Sequence, residues 1–236
     1  MSFEGIAHYN GLYDQSRYFD DAMTRYFYRK GWSVSQFSFL RPISELLIEK
    51  ILVERYPSLQ QLQVSCHATH EAGNEIRPCG RCEKCRRIVG MLAALGADPA
   101  LCGYTAEQVA RCLQDITKKG INQEKEGVEH LAFLLHRNHL ISAPSIGPRR
   151  AHERPEVMKL RFDREKAPFE TIPIDLREPL YRIYLEHADG AIRRSGKIWL
   201  TFDWSKYPAL QRPFPFESSG AVNSRKPRGE KKQGGL

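Results

Sequence analysis

The residues best placed to do chemistry are cysteines. Cys66 is followed, after twelve residues, by Cys79-Gly-Arg-Cys82-Glu-Lys-Cys85, so four of the six cysteines fall within 20 residues. Thiolates separated by two residues grip one ion from a tight turn, and zinc takes four such ligands in a tetrahedron. The pattern predicts a metal site made by Cys66, Cys79, Cys82 and Cys85, with zinc the favoured ion. Cys-x₂-Cys-x₂-Cys also opens a ferredoxin-type iron–sulfur run, and a cluster is the alternative. That run expects a cysteine where this chain has Val89, so Cys66 would have to be the fourth cluster ligand.

Four protein thiolates leave no position for a catalytic water, so the site reads as structural. Gly80 permits the backbone angles of a knuckle and Pro78 stiffens its start. Arg77, Arg81, Lys84, Arg86 and Arg87 are expected to offset the negative charge of the tetrathiolate. His67 and His70 flank the first ligand and read as polar loop residues.

The elements that must position these thiols follow from periodicity. A helix is expected over 16–30, with Phe19, Met23, Tyr26 and Phe27 on one stripe, and then an extended segment over 32–39. Pro42 is expected to open a second helix with Ile43, Leu46, Leu47 and Ile51 on its apolar face, stopped by Pro57. Alternation over 62–66 predicts a strand delivering Cys66, and a helix over 86–95 follows the knuckle. Thr105 and Gln108 form a capping box, opening a helix with Val109, Cys112, Leu113 and Ile116 on one face. Cys112 is thus expected to be a buried core thiol. Val128, Leu131, Ala132 and Leu135 mark one more helix.

Residues 142–156 hold three prolines and no apolar rhythm, which reads as a linker. Beyond it, a strand over 157–162, a helix opened by Asp175 and Glu178, and a strand carrying Ile198, Leu200 and Phe202 are expected. The expected organisation is a cysteine-bearing unit over 1–103, a helical extension over 104–141, the linker over 142–156 and a small α+β segment over 157–216. A disordered basic tail is expected over 217–236.

At 236 residues and 41% hydrophobic content the chain suits a globular protein with a real core. No apolar run approaches the roughly 20 residues of a membrane span, and the N-terminus lacks the features of a secretory signal. A cytoplasmic location is the expectation, and there cysteines serve as metal ligands or free thiols rather than disulfides. The formal charge of +8 is partly local, with Arg225, Lys226, Arg228, Lys231 and Lys232 against Glu230 in the tail. Such a balance permits contact with nucleic acid or other anions.

Around the cysteines there is a wider resemblance. Ser65-Cys66, then Pro78-Cys79-Gly80-Arg81-Cys82-Glu83-Lys84-Cys85, then a helix to Leu95-Gly96, resembles the C-terminal half of PP-loop ATP pyrophosphatase-like enzymes. The similar groups are 7-cyano-7-deazaguanine synthase and the ATP-dependent epimerase of muramoyl-peptide nucleotides. Residues 39–46 (FLRPISEL) resemble the epimerase version of a helix start, and His8-Tyr9-Asn10 with Asp14-Gln15-Ser16 resembles its substrate-side loop. The resemblance implies an α/β fold, the C-terminal portion of a Rossmann-like domain that adenylates a carboxylate with ATP. It also implies that Asp14, Ser16, Arg41 and Glu45 lie near substrate or nucleotide. Residue by residue, the plainer readings are N-cap types for Asp14 and Ser16, a surface charge for Arg41 and a first-turn acid for Glu45.

The family's phosphate loop, Ser-Gly-Gly-x-Asp-Ser, does not occur; the nearest string, Ser218-Ser219-Gly220-Ala221, lies in the basic tail. The chain is therefore expected to be the metal-binding part of such an enzyme, truncated or completed by an ATP-binding partner chain, and not catalytic alone. ATP is expected only with that other half, and self-association is expected in its absence. The alternative is a non-catalytic zinc module that binds nucleic acid through its basic surface.

Overall fold

The computed structural model describes residues 13–206 and 208–214, together with the backbone of a short antiparallel pair, β1 (Ser2–Phe3) and β2 (Ile6–Ala7). His8-Tyr9-Asn10 and the tail 217–236 lie outside the described residues. The fold is mixed α/β: six α-helices with small sheets, the largest of three strands, among the described residues. No described helix is long and apolar enough to cross a membrane.

The core is helical. α2 (Glu45–Arg55), α3 (Glu83–Ala94), α4 (Ala106–Lys119) and α5 (Lys125–Arg137) pack together. Leu47, Val89, Leu92, Ile116, Leu131 and Leu135 are fully buried among them. Gly90 lets α3 approach α4 closely, since a Cβ there would stand 2.8 Å from Ile116 Cδ1. The capping box at Thr105 and Gln108 forms as expected, as does the buried face of Ile43, Leu46, Leu47 and Ile51. α2 begins at Ser44 rather than Pro42, because the Ser44 hydroxyl accepts from Leu47 N–H and donates to the Val157 carbonyl.

α1 (Arg17–Arg29) inverts its expected face. Ser16, Asp20 and Thr24 are buried, while Phe19, Met23 and Phe27 are half-buried and Tyr26 is exposed. The reason is a polar anchor. Thr24 Oγ1 accepts from Gln36 N–H at 2.9 Å, Gln36 Nε2 donates to Asp20 at 2.9 Å, and Arg41 pairs with the same carboxylate. Segment 33–37 is therefore held by side chains and forms no strand.

The expected strand over 62–66 does not form either. Pro57–Leu62 is a 3₁₀ segment, and tight turns follow, with Val64 N–H on Leu62 O and Cys66 N–H on Val64 O. Neither the extended segment over 32–39 nor the stretch 62–66 thus forms a strand among the described residues.

Residues 142–156 carry a hairpin, β5 (Ser145–Ile146) with β6 (Arg149–Arg150), packed on α4 and α5, and Ile146 joins the core. Beyond it, β7 (Leu160–Phe162) runs parallel to β8 (Ala191–Ser195), with α6 (Ile174–His187) between them in the chain. β9 (Ile198–Thr201) pairs antiparallel with β8. α6 starts at Pro173 with no side-chain cap, so Asp175 and Glu178 lie inside it rather than capping it. Stacked rings of Phe162 and Phe169, 3.9 Å between centroids, and the edges of Tyr181 and Phe202 fill this sheet's inner face. Tyr184 Oη donates to Phe39 O and Arg161 N–H to Pro42 O, joining this segment to the start of α2.

Candidate metal centre

Three short pieces of chain bring the four thiols together. The turns after the 3₁₀ segment deliver Cys66, the knuckle 78–82 delivers Cys79 and Cys82, and the first turn of α3 delivers Cys85. Cys82 is itself the N-cap of α3, its sulfur accepting from Cys85 N–H at 3.4 Å. Gly80 takes φ +64, the left-handed turn that brings Cys79 back over the helix start.

All four sulfurs lie within 4.8 Å of one another. Cys66–Cys82 is 3.9 Å, Cys79–Cys85 3.8 Å and Cys82–Cys85 3.4 Å. Four sulfurs about 2.3 Å from one ion would stand about 3.8 Å apart, the edge of that tetrahedron. The donor set fits a single four-coordinate ion. Cys85 is buried and the other three are half-buried, whereas His67 and His70 are exposed and outside the group.

Backbone amides offset the sulfur charge. Cys66 Sγ accepts from Ala68 and Cys79 N–H, each at 3.3 Å, and Cys79 Sγ accepts from Cys82 N–H at 3.4 Å. At Cys82 burial opposes ionisation, but amides of His67 and Cys85 outweigh it and hold the thiol down to about 6. Burial pushes the Cys85 thiol well above its usual range, and Cys66 rises for the same reason. A cation held by these thiols would replace their protons. Tyr104, buried beside Cys85, has its phenol raised by burial and by that neighbour.

Two of the nearby arginines have defined backbone partners. Arg86 donates to Gly120 O and Arg81 O, and Arg87 donates to Asn122 O and pairs with Glu45 at 3.5 Å. They fasten the knuckle to the loop before α5. Cys112 is a buried core thiol as expected, donating to Gly80 O at 3.3 Å and braced against the knuckle's turn.

The other expected site residues divide. Asp14 and Arg41 line one small cleft with Gln15, Asp20, Ser38 and Leu40. Ser16 caps α1, and Glu45 sits apart in the first turn of α2 facing Arg87. Sequence reasoning missed the antiparallel hairpin β3 (His70–Ala72) and β4 (Glu75–Arg77), which lies within the twelve residues between the first two ligands. Its signal was Gly73-Asn74, a two-residue hairpin turn with the glycine at φ +64.

No family model, curated protein or solved structure matches the chain.

Proposed function

We propose that the chain holds one structural zinc ion on Cys66, Cys79, Cys82 and Cys85. In this reading it is the metal-binding portion of a cytoplasmic PP-loop ATP-dependent ligase- or synthase-like protein. The observation that carries the metal reading is the set of four sulfurs with contacts of 3.4–3.9 Å. That spacing favours one ion over a four-iron cluster, in which each thiolate takes a separate iron. The ion supplies cross-linking: it ties the 66–68 turn and the hairpin to the N-terminus of α3. In a small exposed lobe such as 66–82, that link substitutes for the apolar burial the lobe lacks.

The PP-loop portion of the reading rests on the Pro-Cys-Gly-x-Cys-x-x-Cys string and the helix after it, and the fine fold it implies is Rossmann-like. The exposed apolar surface of the N-terminal part supports a partner. Tyr26, Trp32, Val34, Phe39 and Leu62 are all exposed, and Trp32 stacks on Phe27 rather than on a core. A second chain carrying Ser-Gly-Gly-x-Asp-Ser would cover this face and supply the phosphate site.

Two experiments test the parts separately. Cys82→Ser loses metal and melts early, whereas Cys112→Ser keeps its metal; equal metal content in both would refute the cysteine assignment. Mixing the chain with a separately expressed PP-loop half raises its melting temperature and yields ATP turnover. No association with any such half would remove the PP-loop reading and leave the zinc site standing.

A further inference from the structure

Far from the cysteines, a cleft of about 690 Å³ opens between the start of α1, the turn after β7 and the β8–β9 hairpin. Arg17, Arg164, Arg193, Arg194 and Arg212 line it against two carboxylates, Asp163 and Glu170. Elsewhere arginines meet carboxylates: Arg55 with Glu186, Arg154 with Glu129, Arg161 with Glu124. In the cleft, Arg164, Arg193 and Arg194 have no carboxylate within ion-pair distance among the described residues.

The cleft is built rather than incidental. Asp163 Oδ1 accepts from Glu165 and Lys166 N–H at 2.7 and 3.1 Å, and a bridge between Asp163 and Ala167 closes the turn that presents Arg164. Arg17 donates to the Arg164 carbonyl at 3.2 Å, drawing α1 to the rim. Parallel pairing sets Phe162 opposite Arg193, whose guanidinium lies 5.7 Å from the Phe202 ring; that of Arg194 lies 5.0 Å from Trp199. Stacking restrains these side chains, and Arg194 Nε is held by Gly196 O at 3.0 Å, which leaves the terminal guanidinium N–H groups for a ligand.

We infer that this cleft binds a small phosphate ester, a ligand of nucleotide or sugar-phosphate size. Planar guanidinium forks match phosphate oxygens in pairs, and Arg164, Arg193 and Arg194, beside the ion-paired Arg17 and Arg212, suit a multiply charged anion. The volume lies within the roughly 300–1,000 Å³ of small-ligand pockets, whereas a polynucleotide needs an extended groove. The inference is independent of the metal and of the PP-loop reading.

The test is calorimetric titration of the full chain with inorganic pyrophosphate at constant ionic strength. Saturable binding is expected, weakened roughly tenfold or more in Arg164→Ala/Arg193→Ala. It should be unchanged in Arg111→Ala, an exposed residue of α4 paired with Glu107. All three positions are exposed, and thermal melts confirm folding. Absence of saturation, equal affinity in the double variant, or equal binding of malonate would overturn the proposal. So would a short oligodeoxythymidine that binds through these arginines and is not displaced by pyrophosphate.

Discussion

Gly80→Ala is the most informative single substitution at the knuckle. Gly80 has φ +64, and a Cβ added there would stand 2.4 Å from Gln108 Cγ and 2.6 Å from its Cβ. An L-residue in this conformation costs about 1–2 kcal/mol. Gln108 cannot give way freely, because it accepts from Thr105 N–H at 2.9 Å and donates to Pro78 O at 3.2 Å. Losing both contacts adds about 0.5–1.5 kcal/mol each. The total is about 2–5 kcal/mol. Where folding and metal binding are coupled, that corresponds to roughly 30-fold to 4,000-fold weaker zinc affinity. Competition against a chromophoric chelator measures it. Gly96→Ala is the control: φ is +72, but nothing lies within 4 Å, so only the conformational cost applies. In Gly80→Ala/Gln108→Gly both the Cγ and the Cβ contacts are removed, and the combined cost should fall below the sum of the single ones. Gly80→Ala binding zinc within about twofold of the parent would refute the reasoning.

Two further predictions concern buried titratable groups. His130 is buried, its Nδ1 accepts from Arg154 N–H at 3.0 Å, and burial holds its pKa below the usual value. The folded form is neutral, so stability is full above about 6.5 and is lost as pH falls through that value toward the folded one. Thermal melts between about pH 7 and 5 should show this loss, and His130→Gln should flatten it. Glu49 is raised, first by burial and against the hydrogen bond from Gln63 at 2.7 Å. Its contribution is favourable below about 4.5 and declines as pH rises, so Glu49→Gln should stabilise the chain at neutral pH and not near pH 4. Urea unfolding at the two pH values reads this directly.

The site was legible in the sequence because its chemistry is local: three ligands fall in seven residues, and their spacing alone makes a knuckle. α2 and α4 were legible for the same reason, since Leu46, Leu47, Cys112 and Ile116 recur at helical spacing on faces that do become buried. α1 was not. Its apolar stripe is as regular, yet Asp20 and Thr24 are buried because Gln36 and Arg41, distant in sequence, satisfy them. The alternation at Leu62, Val64 and Cys66 signals a strand only where another strand stands beside it. Here the backbone turns on itself instead. The arginine cleft draws on residues 17, 164, 193, 194 and 212, which come from stretches far apart in sequence and meet only in the folded chain.

The central claim is one ion on four thiolates. Elemental analysis of the chain purified without oxygen or added metal, with free thiols counted before and after chelation, tests it most directly. The account predicts zinc near one equivalent, with Cys66, Cys79, Cys82 and Cys85 protected from alkylation until the metal is removed. Iron with matching acid-labile sulfide, or metal-free protein in which all four thiols react while the fold stays intact, would contradict it.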